Sequence, residues 1–304
     1  MMKMHNDCKQ DVLAEQYRVV NNLRLFREVI VAWGLIILSV ILPVYFDQWY
    51  MVILSILIIS SAHQRLFTIY HEAFHNNLAE NRKLGDIVGS WMAAYPSFSR
   101  YHGVKKRHIK HHKFTANNKD PERVSHAKSI IELIPFTWYI FFMAVKKITG
   151  VMIFEEKYNS FMNGRGSWNV EDNDAENIKI IITNLILLVI FSILINIFDG
   201  DLIYVFIYHA TLFFVSPLFM VLRQWVEHYV EDDSVEDPRY IIINANFIER
   251  MLFSPMNFHY HAIHHYYPWV TYNMLPKLYK EMKDKELLYI ERSSYFSVIK
   301  KLIL

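Results

Sequence analysis

The chain has a single cysteine, Cys8, and therefore cannot form an internal disulfide, a Cys-x-x-Cys zinc or redox site, or a cysteine-ligated iron–sulfur cluster. Cys8 lies in a polar N-terminal stretch and reads as an incidental thiol. A fused haem-binding His-Pro-Gly-Gly segment is also missing, so any electrons the protein uses must come from another molecule. The formal charge is only +2, and no basic block dominates, which argues against nucleic acid as a partner. No internal repeat or low-complexity segment occurs, and residues 1–28 are too polar and mixed in charge for a cleaved secretory signal. No retention or lipidation signal is visible over Ser294 to Leu304.

What the sequence does contain is apolar residues in long runs. With 53% hydrophobic and 15% aromatic residues, the 304-residue chain exceeds ordinary soluble composition. A helix needs about 20 apolar residues to cross roughly 30 Å of hydrocarbon. Four stretches qualify: residues 29–46, 49–70, 177–198 and 202–222. The links from Pro43 to Gln48 and through Asp199-Gly200-Asp201 are short, which predicts two helical hairpins in an all-α, multi-pass membrane protein. Neither link holds a lysine or arginine, so the positive-inside rule places both termini on the cytoplasmic side. Residues 71–176 and 223–304 then form a cytosolic helical cap, the whole chain making a single domain. Within that cap, Leu84 to Phe98 is too short to cross, Ile130 to Val145 is expected in the interface, and Glu155 to Glu176 reads as a loop. Leu275, Leu278, Tyr279 and Met282 recur at helical spacing behind Pro276 and predict a packed surface helix.

Eight of the 15 histidines fall into three patches: His71 and His75 in HEAFH, His108, His111 and His112 in HIKHH, and His261, His264 and His265 in HAIHH. Residues four apart share a helix face, so His71 and His75 should converge, as should His108 with His111 and His112. Crowded imidazoles are costly when buried unpaired and repel when protonated, and a bound cation resolves both problems. A tetrahedral zinc site needs at most four ligands, so eight or more histidines imply two ions. Imidazole by itself does not choose between iron, zinc, copper and nickel. The isolated His5, His63, His126 and His209 read as ordinary hydrogen-bonded side chains.

The order HxxxH, HxxHH, HxxHH, interleaved with two membrane hairpins, resembles the membrane fatty-acid desaturase family. Flanking residues carry the likeness further. The middle patch runs on to Asp120-Pro121, and the last sits within Asn257-Phe258-His259-Tyr260-His261-Ala262-Ile263-His264-His265, followed by Tyr267-Pro268 and Leu275-Pro276. Arg223 to His228, RQWVEH, is similar to a segment that follows the last span in that group, and the likeness extends from about Trp49 to Lys280. The resemblance implies a mushroom-like enzyme whose cap holds two iron ions with O2 as co-substrate. Its ligands, carried over by position, would be His71, His75, His108, His111, His112, His228, His261, His264 and His265.

Some members have an Asn holding a metal-bound water one helical turn before the isolated histidine; here that residue is Gln224. Asp120, Glu227 and Asn257 are candidate partners for imidazole N–H groups, and His102 and His259 are expected to be structural. No catalytic residue beyond the metal centre is implied. The implied reaction removes two hydrogens from a methylene pair of a lipid or acyl thioester, with a ferredoxin or cytochrome b5 type donor, which basic runs such as Lys105-Lys106-Arg107 and Lys300-Lys301 could dock. Hydroxylation or ketolation on the same scaffold is the nearest rival. HEAFH also fits the HExxH of a zinc metalloprotease with Glu72 as base, but that leaves both HxxHH patches unexplained. A metal-binding membrane protein without catalysis is the third reading.

Overall fold

A computed structural model describes residues 16–115, 119–121, 174–228, 241–284, 290–292 and 294–303. The described chain is mostly helical, and four helices are long and apolar enough to cross a membrane: α1 (Asn22–Phe46), α2 (Trp49–Phe74), α5 (Asp174–Ile197) and α6 (Ile203–His228). Each starts or stops for a local reason. The Asn21 side chain accepts the Leu23 N–H at 2.8 Å to open α1, and Asp47, in the left-handed region at φ 47°, closes it one turn after Pro43. Ile30 and Ile37 on α1, Ile53 on α2, Ile182, Leu185, Val189 and Ile193 on α5 and Phe206 and Phe214 on α6 all point outward. So much exposed apolar surface suits hydrocarbon, not water.

The inward faces are more polar. Serine and threonine hydroxyls along α2 return to carbonyls one turn earlier, Ser55 to Met51 at 2.8 Å, Ser60 to Ile56 at 2.9 Å and Thr68 to Gln64 at 3.0 Å. This satisfies them where water cannot. His63 and His209 do the same through Nδ1, each 2.8 Å from the carbonyl four residues back. At the link between α5 and α6, a Cβ on Gly200 would lie 2.6 Å from Val44 Cγ1, so that turn abuts the end of α1 and the two short links share one end of the bundle.

The structure extends the expected elements in two informative places. The second helix does not stop at Tyr70 but runs to Phe74, carrying His71 inside it, and the fourth runs to His228. α6 contains a π-helical turn at Thr211–Val215. One extra residue in a turn rotates everything after it by about 100°.

Between the membrane helices, α3 (Arg82–Ile87) passes into a π-helical turn (Val88–Ala94) and then α4 (Tyr101–Phe114). Asp86 ties the two together, accepting from Lys105 Nζ at 2.8 Å and from the Tyr101 hydroxyl. Glu176 and Asn177 at the start of α5 bind the start of α4, through the His102 N–H at 3.1 Å and Arg100 Nε at 2.9 Å. Gly89 allows a close approach here, because a Cβ there would meet Ala73 Cβ at 2.7 Å and Tyr101 Cε2 at 3.0 Å. Gly89→Ala should therefore push α2 away from α4, cost about 1–3 kcal/mol and lower the melting temperature of the detergent-solubilised protein.

Beyond α6 come β1 (Ile241–Ile243), α7 (Phe247–Leu252), a 3₁₀ turn (Phe258–Tyr260), α8 (His261–Tyr266), α9 (Leu275–Asp284), β2 (Ile290–Arg292) and α10 (Tyr295–Ile303). The strands pair in parallel, Ile242 opposite Glu291, a small addition to the expected helical architecture; three residues are too few to show alternation in a sequence. Ile242, Ala262, Ile263, Tyr267, Val270, Leu275, Leu278 and Met282 make a second apolar core. The helix expected behind Pro276 is thus present and packs as its spacing predicts. The segment at Ile130 to Val145, most of the loop expected at Glu155 to Glu176, and Cys8, His5 and His126 lie outside the described residues.

Candidate metal centre

All nine imidazoles implied by the resemblance come together, and they sort into two adjacent groups. His71, His75, His108, His112 and His264 form one; His111, His228, His261 and His265 form the other; within each, one ligand atom per residue lies within 4.8 Å of the rest. The sorting corrects the expectation that His108, His111 and His112 share a site. Residues one apart on a helix are about 100° apart, whereas residues four apart are nearly aligned. His108 and His112 therefore face the first group and His111 the second, while His261 and His265 face the second and His264 the first. Each HxxHH patch serves both groups crosswise. The intervening residues follow the same geometry: Ala262 and Ile263 enter the second core, Ala73 and Phe74 enter the main core, and Ile109 and Lys110 face outward.

The nitrogen geometry tests whether a cation fits. His108 Nε2 lies 3.0 Å from His75 Nε2 and 2.9 Å from His112 Nε2, while His75 Nε2 is also 3.2 Å from His264 Nε2. In the other group His265 Nε2 is 3.0 Å from His261 Nε2. One N–H cannot serve several neighbours, so lone pairs confront one another. Two nitrogens at right angles about 2.1 Å from a common ion would be about 3.0 Å apart. Both groups match that spacing. His71 is buried with no hydrogen bond on either ring nitrogen.

Burial, then the neighbouring imidazoles, holds His108, His112, His261, His264 and His265 well below the ordinary histidine range. Burial and then Lys105 lower His75 to about 3. The rings are thus neutral, as metal ligation requires. The fit to a pair of cations with all-imidazole donors is good, and among the described residues no carboxylate belongs to either group.

The surrounding residues orient the rings unequally. Asp120 Oδ1 lies 2.8 Å from His111 Nδ1, both fully buried, as expected for an imidazole partner. Asp120→Asn should weaken metal binding about 10–100-fold with little change in the metal-free fold, read by metal titration beside thermal melting. Thr115 Oγ1 donates to the His111 carbonyl at 2.6 Å and lies 3.4 Å from His265 Nδ1.

Glu227 and Asn257 point elsewhere. Glu227 accepts the Tyr295 hydroxyl at 2.7 Å and lies 3.7 Å from Arg223 Nε, and Asn257 bonds the Tyr272 carbonyl at 3.4 Å from a left-handed position at the head of the 3₁₀ turn. Gln224 is half-buried one turn before His228. His102 is exposed, and the buried His259 belongs to neither group; burial and then Arg250 lower it to about 3. Glu72 does not face the imidazoles as a protease base would: its Oε2 accepts the Tyr272 N–H at 3.2 Å.

Sequence reasoning missed a set of buried polar contacts that lock the centre to the membrane helices. Tyr272 donates to Glu28 at 2.9 Å, Glu28 pairs with Arg65, and Asn77 Nδ2 reaches the Pro268 carbonyl at 2.7 Å. Arg223, Gln64 and Glu28 were detectable in principle, since a charged or amide side chain inside an apolar helix is unusual.

A family profile described as fatty acid desaturase matches residues 47–296. The chain belongs to the fatty acid desaturase family. Dihydrorhizobitoxine desaturase of Bradyrhizobium elkanii is a relative, 26% identical over 249 residues that cover 78% of this chain and 69% of that protein. The desaturase match makes the chain an oxidoreductase, rules against the metalloprotease reading, and agrees with the four candidate membrane helices and the imidazole groups at their ends.

Proposed function

We propose that this desaturase-family protein is an O2-dependent di-iron oxidase that introduces a C=C bond into an acyl chain, held as a lipid or an acyl thioester. The observation that carries the reading is the division of nine buried or half-buried imidazoles into adjacent groups of five and four, with no carboxylate in either among the described residues. Iron bound there would supply the O2 chemistry. Overall, two hydrogens leave adjacent carbons, a donor supplies two electrons, two protons come from solvent, and one O2 becomes two waters.

The chain's own residues have three tasks. The nine imidazoles hold the ions, with His111 steered by Asp120. The packed aromatic shell of Phe67, Phe74 and Phe258 keeps water from the first group. The membrane helices offer an apolar environment that suits an acyl substrate. Two hairpins with both termini and the imidazoles on the cytoplasmic side fit the lack of basic residues in either short link and the contact of Gly200 with Val44. The outer face of α4 presents Lys106, Lys110 and Lys113, at spacings of four and three, directly behind the ligands His108, His111 and His112. That stripe suits an acidic external electron donor of ferredoxin or cytochrome b5 type.

The test is mass spectrometry of cells that express the wild-type chain or a His111→Ala, His264→Ala double variant, with a donor system supplied. Products two hydrogens lighter, formed only by wild type, support desaturation and name the substrate. Products one oxygen heavier would replace it with hydroxylation, and an unchanged profile would count against the reading. Because the relative is named for dihydrorhizobitoxine, the profile must cover small molecules as well as lipids.

A further inference from the structure

Arg223 is fully buried on α6, five residues before His228, yet it touches no imidazole nitrogen. Its NH1 donates to Gln64 Oε1 at 2.8 Å, and its Nε lies 3.7 Å from Glu227 Oε2. The guanidinium carbon sits 4.2 Å from the Phe67 ring centroid and 4.4 Å from that of Phe258. Both rings in turn pack on ligands. Phe258 meets His71 edge-on at 4.9 Å and stacks on His261 at 4.6 Å and 19°, while Phe67 lies 5.8 Å from His71. His71 belongs to the five-imidazole group and His261 to the four-imidazole group.

These two ligands differ from His111, whose orientation a carboxylate fixes. His71 has no hydrogen bond on either ring nitrogen, and His261 Nδ1 has none. A ligating imidazole ordinarily donates its second N–H to an oxygen that sets the ring plane. Packing must do that work here, and Phe258, which is not itself an imidazole of either group, packs on both rings.

We propose that Arg223 is a positioning residue that orients His71 and His261, one ligand from each group, by clamping Phe258 and Phe67 through its flat cation. The idea rests on the metal-centre reading above. A guanidinium can stack on aromatic faces while it donates a directed N–H bond to Gln64 and sits in an ion pair with Glu227; an ammonium keeps the charge and loses that geometry. Ligand placement, not charge, is therefore what Arg223→Lys removes.

The experiment titrates cobalt(II) into the purified, metal-stripped full chain in detergent and follows the ligand-field absorption bands, with thermal melting of the metal-free protein alongside. Arg223→Lys should weaken cobalt binding about 10–100-fold, as loss of other ring-orienting partners does, and shift the bands while melting changes little. Phe258→Leu should do likewise, and the double variant should be no worse than the weaker single one, because both changes act through one ring. Wild-type affinity and spectrum in Arg223→Lys would overturn the proposal, and so would full additivity with Phe258→Leu. Should Arg223→Lys fail to fold, Gln64→Leu loosens the guanidinium while leaving its charge, and unaltered bands there would be equally decisive against it. Failure of the wild type itself to bind two cobalt ions would instead strike the metal-centre reading.

Discussion

His264→Ala and His265→Ala should each lower turnover by about 100-fold or more, yet empty different metal sites. The two residues are adjacent in the chain but belong to different groups, His264 with His71, His75, His108 and His112, and His265 with His111, His228 and His261. Losing His265 leaves three imidazoles where there were four, and that site should lose its ion. Losing His264 leaves four, enough to retain an ion in altered geometry. Iron analysis of the two purified variants should therefore show one ion lost from His265→Ala and near-normal content with changed spectra for His264→Ala. Equal iron loss in both would mean that the groups act as one site.

Acid should unfold the metal-free protein far more readily than the loaded one. In the folded chain burial lowers His75 to about 3 and holds His108, His112, His261, His264 and His265 well below the ordinary value, whereas on unfolding they regain roughly 6.5. The sign follows directly. Above pH about 6.5 these rings are neutral in both states and add no pH dependence; below it the unfolded chain takes up protons that the folded chain refuses, so stability falls. Each ring costs up to about 1.4 kcal/mol per pH unit, and several acting together exceed the usual total of about 5–15 kcal/mol within one or two units. Thermal melting of stripped protein should drop steeply between pH 6.5 and 5, with bound metal blunting the loss. A flat profile for the stripped protein would mean that the imidazoles are more hydrated than their burial implies.

The membrane helices were legible because long apolar runs need no tertiary context, and their missed ends have a physical cause. His71 and Glu72 are polar and fall outside any hydropathy run, but the helix continues through them because Ala73 and Phe74 still pack in the core. The nine histidines were legible as a set from the resemblance. Their division is not carried by the spacing of a patch as a whole; it lies in the 100° step per residue, which separates His111 from His112. His228 alone carries no spacing signal and depended on the resemblance. The two short strands and the Tyr272, Glu28 and Arg65 contacts join residues far apart in the chain, and such partners are not encoded locally.

The central claim, two metal ions held by nine imidazoles, is tested most directly by elemental analysis of the wild-type chain purified after expression with ample iron. The arrangement predicts two iron ions per chain. A single ion, or zinc in place of iron under those conditions, would contradict it.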